Sequence, residues 1–133
     1  LNFPGQYLLK YVIETNLFVH YQLTNANQDA TSSALSGFGM TPVGLQLNWR
    51  DSRRVQPFFK SSAGFMYLTN PFPDERGTKF NFTLEIGGGI EIKLTENSFF
   101  TIGYKYHHMS NGQLGQINPG VDSNVFYGGI TIF

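Results

Sequence analysis

Apolar and polar residues alternate along most of this chain. From 79 to 94, even positions carry phenylalanine, leucine, isoleucine or glycine, and odd positions carry charged or small residues. The same period of two recurs over 7–22, over 43–50 and, more loosely, over 59–67. Because this is the period of a β-strand with one apolar face, it predicts an all-β fold. We predict six strands, at about 6–23, 37–50, 55–68, 79–94, 98–110 and 122–133.

The predicted strands are long, whereas about 5 to 6 residues is typical of soluble domains. Tilted strands that cross a bilayer and project beyond it need this length. The connections also alternate, being long at about 24–36, 69–78 and 111–121 and short at 51–54 and 95–97. Outer-membrane barrels have short periplasmic turns and long outside loops. The sequence therefore predicts an antiparallel up-and-down transmembrane β-barrel.

The number of strands leads to a further expectation. Six strands are fewer than the usual minimum of about eight, so we expect 1–133 to be a single barrel domain that lacks its first strands. An even number of strands, most simply two, is expected to precede Leu1 or to be supplied in another way. A soluble lipocalin-like barrel would alternate in the same way, with its apolar face inward. Alternation of apolar and polar residues alone leaves both alternatives open. The length of the strands and the alternation of long and short connections favour the membrane barrel.

Composition removes several classes of function. The chain has 9 basic and 9 acidic residues, so it lacks the basic surface needed for nucleic-acid binding. It has no cysteine, which excludes disulfides, thiolate metal sites and a thiol nucleophile. No apolar run is long enough for a transmembrane helix. The sequence predicts neither a cofactor nor a metal ion.

The fifth predicted strand carries the candidate chemistry. His108 and Ser110 follow four apolar or aromatic residues on its even face. Residues two apart on a strand face have Cα atoms roughly 6 to 7 Å apart, so an imidazole nitrogen can reach a hydroxyl. Asp122 begins the next strand, and the loop 111–121 returns it to the same end of the sheet. A carboxylate there can orient the imidazole, so the geometry permits a Ser-His-Asp triad.

Two segments at this point resemble a known family. Residues 108–111 read His-Met-Ser-Asn and 118–122 read Asn-Pro-Gly-Val-Asp, with Asp122 twelve positions after Ser110. This resembles the signature of the PagL-type lipid A 3-O-deacylases, outer-membrane barrels that remove an ester-linked acyl chain from lipopolysaccharide. The resemblance is strongest over 98–133. It implies a hydrolase that acts on lipid A in the bacterial outer membrane.

The same resemblance implies roles for individual residues. Ser110 would be the nucleophile, His108 the general base, Asp122 the orienting acid, Asn118 a donor to the oxyanion and Asn111 a residue that shapes the site. The acid of the best-known members is a glutamate. Asp122 is one methylene shorter, so it must either lie closer to His108 or be less effective as the orienting acid.

Other interpretations of the remaining polar residues and of the function stay open. His107 and His20 are predicted to point into the barrel and form hydrogen bonds there. Interior ion pairs are predicted for the charged residues of the inferred inner faces, which are Glu85, Glu91, Lys79, Lys93, Lys60 and Arg50. The rival functions are a non-catalytic barrel that acts as a scaffold or partner in a membrane assembly, and a small lipid- or ligand-binding barrel. A homodimer or another membrane partner is also consistent with the sequence.

Overall fold

A computed structural model describes residues 7–23, 33–49 and 54–132 of the chain. Its strands are β1 (Tyr7–Tyr11), β2 (Glu14–Leu23), β3 (Ser33–Trp49), β4 (Val55–Phe72), β5 (Thr78–Lys93), β6 (Ser98–Ser110) and β7 (Val121–Ile132). They form one antiparallel sheet in which β1 and β2 both pair with β3, followed by β4, β5, β6 and β7 in order. The described residues include no helix able to span a membrane. The all-β, antiparallel prediction is confirmed.

The strand boundaries differ from the predicted ones mainly at the ends. The first predicted strand is divided into β1 and β2, which pair with successive parts of β3. β3 begins at Ser33 and β4 continues to Phe72, so both extend into predicted loops. Backbone pairing explains this extension, because it satisfies N–H and C=O groups whatever side chains the segment carries. Most of the predicted connections at 24–36 and 51–54 lie outside the described residues.

A β-bulge in β2 reverses which side chains face inward. The register against β3 shifts at Leu17 and Phe18, which both point outward. Beyond the bulge, Val19 and Tyr21 pack against the interior and His20 is exposed. The prediction that His20 lies inside the barrel is therefore wrong, because the extra residue of a bulge inverts the alternation that follows it.

The two faces of the sheet have opposite polarity. Buried polar residues on the inner face include Gln46, Asn48, Lys60, Ser62, Asn81, Thr83, Glu85, Glu91 and His107. Large apolar residues at least 45% exposed on the outer face include Phe38, Val43, Leu45, Phe59, Leu84, Ile86, Ile102, Phe126, Ile130 and Ile132. A soluble lipocalin-like barrel has the reverse arrangement. The polarity of the two faces therefore matches a transmembrane barrel.

Contacts across the interior show that the sheet is strongly curled. The Tyr21 hydroxyl lies 3.1 Å from His107 Nε2, although β2 and β6 are four strand positions apart in the sheet. Four strand spacings in a flat sheet would separate them by roughly 19 Å. Within the described residues, β7 does not pair with β1 or β2, so the sheet is not closed by hydrogen bonds. The expectation of two further strands stays a prediction.

Two buried carboxylates organise the polar interior. Glu85 accepts hydrogen bonds from His107 Nδ1 (2.8 Å), Lys105 Nζ (2.8 Å) and Ser62 Oγ (3.2 Å). Glu91 accepts hydrogen bonds from Lys10 Nζ (2.7 Å), Gln46 Nε2 (2.8 Å) and Asn48 Nδ2 (2.6 Å). A further interior ion pair joins Lys60 to Glu14. These contacts confirm the predicted interior ion pairs of Glu85, Glu91 and Lys60 and the interior position of His107. The same prediction is wrong for Lys79, which is exposed, and for Lys93, which pairs with the exposed Glu96 at 2.7 Å, because both lie at the ends of β5. Arg50 lies outside the described residues.

Candidate active site

The candidate site lies on the outer face of β6 and β7. These strands pair without a register shift from Ser98 opposite Ile132 to Met109 opposite Val121. The residue between His108 and Ser110, Met109, is 1% exposed and belongs to the apolar cluster inside this end of the sheet. Because neighbouring residues of a strand face opposite sides, burial of Met109 directs His108 and Ser110 outward.

The structure places Asp122 directly opposite His108 in the strand pair. Asp122 Oδ1 lies 2.7 Å from His108 Nδ1, and the two side chains are 57% and 38% exposed. Directly opposed residues have Cβ atoms about 4.5 to 5.5 Å apart, which explains why the short aspartate side chain reaches the ring. An ionised carboxylate can only accept a hydrogen bond, so Nδ1 carries the proton that joins the two groups, and in the neutral ring Nε2 is then the acceptor.

Ser110 lies on the same outer face, two residues beyond His108 at the end of β6. Its strand partner on β5 is Phe82, and that of His108 is Leu84. Within the described ranges, no hydrogen bond joins the Ser110 hydroxyl to His108. The expected Cα separation of roughly 6 to 7 Å lets side-chain rotation close this gap. Catalytic hydrogen bonds are often long before substrate binds.

Two further residues adjoin the His108–Asp122 pair. A Cβ atom at Gly120 would lie 2.8 Å from His108 Cε1, so the bare Cα of Gly120 packs against the ring. Tyr106 lies diagonal to Asp122 on the same outer face, opposite Asn124 in the pairing of β6 and β7. Sequence reasoning missed both residues. Tyr106 resembles an ordinary interfacial aromatic, whereas a glycine two residues before the acid was a signal that could have been followed.

The loop after Ser110 begins with a tight turn. Gly112 and Gln113 have φ angles of 61° and 66°, and the Leu114 N–H donates to the Asn111 carbonyl at 3.1 Å. Two successive positive φ values with this hydrogen bond define a type I′ turn. Glycine adopts such a conformation without strain, which explains its presence directly after Asn111. The turn reverses the chain immediately beyond the site.

Asn111 holds the rest of this loop in place. The side chain is 2% exposed; its Nδ2 donates to the Ile117 carbonyl at 2.7 Å and its Oδ1 accepts from the Gln113 N–H at 2.9 Å. The backbone N–H of Asn111 donates to Asn118 Oδ1 at 2.9 Å. The structure therefore brings Asn118 beside the residue that follows Ser110. Asn111 itself is committed to contacts within the loop.

The connection between β4 and β5 supports the same loop from the side. The Arg76 carbonyl accepts hydrogen bonds from the N–H groups of Gln116 (2.7 Å) and Ile117 (3.3 Å). The Arg76 guanidinium forms a forked ion pair with Asp74, with a shortest distance of 2.7 Å. Hydrogen bonds from Arg76 hold the pKa of the Asp74 carboxyl below its usual value. This contact between loops was not predicted, because it depends on pairing that is remote in the sequence.

These features define a class of protein. A curled antiparallel sheet with an ion-paired interior and an apolar outer wall is the architecture of outer-membrane β-barrels, and this one carries serine, histidine and aspartate on its outer wall. Among the described residues, no group of three histidine or acidic side chains is placed to hold a metal ion.

Comparison with known families agrees with that class. The profile of the lipid A 3-O-deacylase (PagL) family matches residues 6–131, nearly the whole chain. The chain therefore belongs to this family of outer-membrane β-barrels, whose activity is the deacylation of lipid A. Neither a search of curated proteins nor one of solved structures found a match.

Proposed function

We propose that this protein hydrolyses an ester-linked acyl chain of lipid A, with Ser110 as nucleophile, His108 as general base and Asp122 as orienting acid. The observation that carries the proposal is the 2.7 Å hydrogen bond between Asp122 and His108 on the outward face of the sheet. Ser110 lies two residues away on that face, and the match to the deacylase family supports the substrate class.

The position of the site suits a lipid substrate. His108 and Ser110 lie at the end of β6 from which the longer connection 111–120 emerges, and this is the outer end in outer-membrane barrels. Lipid A has its sugars in the headgroup layer of the outer leaflet and its esters just below. We propose that the protein resides in the outer membrane, where a site on its outer wall reaches the ester without extraction of the lipid. Association with a second copy or another membrane protein stays a prediction.

The first half of the reaction forms an acyl-enzyme. His108 Nε2 takes the hydroxyl proton of Ser110 while the serine oxygen attacks the ester carbonyl carbon. Asp122 keeps the Nδ1 proton in place and stabilises the imidazolium that forms. When the tetrahedral intermediate collapses, the bond between the carbonyl carbon and the sugar oxygen breaks. His108 gives its proton to that oxygen, so the sugar leaves with a free hydroxyl.

The second half releases the fatty acid. A water molecule gives a proton to His108 Nε2 and attacks the acyl carbon, and the proton then returns to Ser110 as the ester bond to the enzyme breaks. The oxyanion of each intermediate needs a placed hydrogen-bond donor. Asn118 Oδ1 is bonded to the Asn111 N–H, so Nδ2 is the part of Asn118 able to donate. The Gln113 N–H is already bonded within the loop, which favours Asn118 for this role.

The test uses the full-length protein folded in detergent micelles and supplied with purified lipid A. Mass spectrometry follows released fatty acid and shortened lipid A. We expect Ser110→Ala to lower turnover by about 10³-fold or more, and the matched variant Ser61→Ala, an outward-facing serine on β4, to retain it. Folding is checked by heat-modifiable gel mobility. Release by Ser110→Ala at the wild-type rate would refute the assigned nucleophile, and no release by folded wild-type protein would favour the scaffold alternative.

A further inference from the structure

The backbone at residue 120 does not require a glycine. Among the described residues, Gly112 is the glycine with a positive φ angle, and Gly120 has a φ that other residues adopt readily. The constraint on residue 120 is instead the space available for a side chain. A Cβ atom at position 120 would lie 2.8 Å from His108 Cε1, 3.6 Å from Nε2 and 3.7 Å from Nδ1. The place that a side chain would occupy is thus taken by the imidazole ring.

We propose that Gly120 is a positioning residue for His108. Its bare Cα supports the carbon edge of the ring, while Asp122, two residues later, holds Nδ1 at 2.7 Å. The segment 120–122 therefore contacts the ring at two points, so the ring can move only away from this segment. The proposal rests on the proposed function of His108 as general base, because its catalytic consequence depends on where Nε2 points.

Alanine at position 120 has a defined consequence. The added Cβ would be about 0.6 Å closer to Cε1 than the start of ordinary van der Waals contact at 3.4 Å, so the ring must move. The His108 side chain is 38% exposed, which lets it turn outward without disturbing the interior. Misplacement by about 1 Å can cost about 10²-fold in rate, so we expect kcat to fall by about ten- to a hundred-fold. KM should change little, because Gly120 acts through His108.

Strand β7, which begins directly after Gly120, offers a control glycine. Gly129 lies on β7, and a Cβ atom built there meets nothing within 4 Å. Gly129→Ala should therefore retain the wild-type kcat, KM and stability. Gly120→Ser adds an oxygen beyond the Cβ and should lower kcat at least as far as Gly120→Ala. A graded loss with unchanged folding separates displacement of the ring from general destabilisation.

A double-mutant cycle with Asp122→Asn tests whether Gly120 acts through the His108–Asp122 pair. If it does, the pair is already loosened in Asp122→Asn, and adding Gly120→Ala should lower kcat by less than about threefold. The proposal is overturned if Gly120→Ala keeps wild-type kcat, or if it lowers kcat equally in both backgrounds.

A second readout does not depend on turnover. The ring ¹⁵N and ¹³C NMR resonances of His108 in micelles should shift in Gly120→Ala and Gly120→Ser and stay in place in Gly129→Ala. Unshifted resonances in a folded Gly120→Ala protein would overturn the proposal even if lipid A proved not to be the substrate. If the wild-type protein did not hydrolyse lipid A but the His108 resonances shifted in Gly120→Ala, only the proposed function would be contradicted.

Discussion

Replacement of Asn111 by alanine tests whether the loop 111–118 is organised by one buried side chain. The change removes the bond from Nδ2 to the Ile117 carbonyl (2.7 Å) and that from the Gln113 N–H to Oδ1 (2.9 Å). It leaves the backbone bonds of residue 111 to Leu114 and Asn118 in place. The perturbation is therefore confined to the loop.

The expected magnitude follows from these two bonds. Each contributes about 0.5 to 1.5 kcal/mol net, and a carbonyl left partly buried without a partner adds a further penalty. Gln113 is exposed, so its N–H regains a bond to water, whereas Ile117 is only half-exposed. We expect a loss of about 2 kcal/mol of local stability, which corresponds to about a thirty-fold rise in the population of the opened loop.

Amide hydrogen exchange in micelles measures this opening directly. Protection of the Leu114 and Gln116 amides should fall by about thirty-fold in Asn111→Ala. Turnover should fall by much less, because the backbone N–H of residue 111 still holds Asn118 in the closed loop. Asn70→Ala, at an exposed position at the end of β4, should leave both unchanged. Equal protection in the two variants would refute the reasoning that the buried asparagine orders the loop.

Three further predictions concern the sheet and the supporting loop. Glu85→Ala leaves the partly buried Lys105 ammonium and the buried His107 ring without their carboxylate partner and should destabilise the protein by about 3 to 5 kcal/mol in urea unfolding. Glu96→Ala, in an exposed pair, should cost about 0.5 kcal/mol or less. Gly103→Ala would collide with the Tyr127 ring and should cost about 1 to 3 kcal/mol, recovered in part by Tyr127→Leu. Because the pKa of Asp74 is lowered, its forked ion pair with Arg76 contributes its full stabilisation above pH 3.8. This stabilisation is lost as the pH falls through the lowered pKa of Asp74. Loss of the Arg76 Nε–H NMR signal should report the broken ion pair.

Part of the candidate site could be predicted from the sequence. Strand alternation places His108 and Ser110 on one face, and antiparallel pairing returns Asp122 to the same end. The loop interactions of Asn111 and Asn118 could not be predicted, because a hydrogen bond between a side chain and a remote backbone group has no periodic signature. The contact between Gly120 and the His108 ring could not be predicted for the same reason.

The sequence alone determined the all-β fold, the approximate strands and which residues share a face, because side chains alternate strictly along a regular strand. Alternation alone left open which face is inside. The tertiary structure decided this, because it depends on how remote strands curl around polar side chains such as Glu85. It also decided the outward position of His20, since a bulge reverses the alternation beyond it. The distance from Asp122 to His108 was fixed by the register between β6 and β7, which arises from pairing along both whole strands.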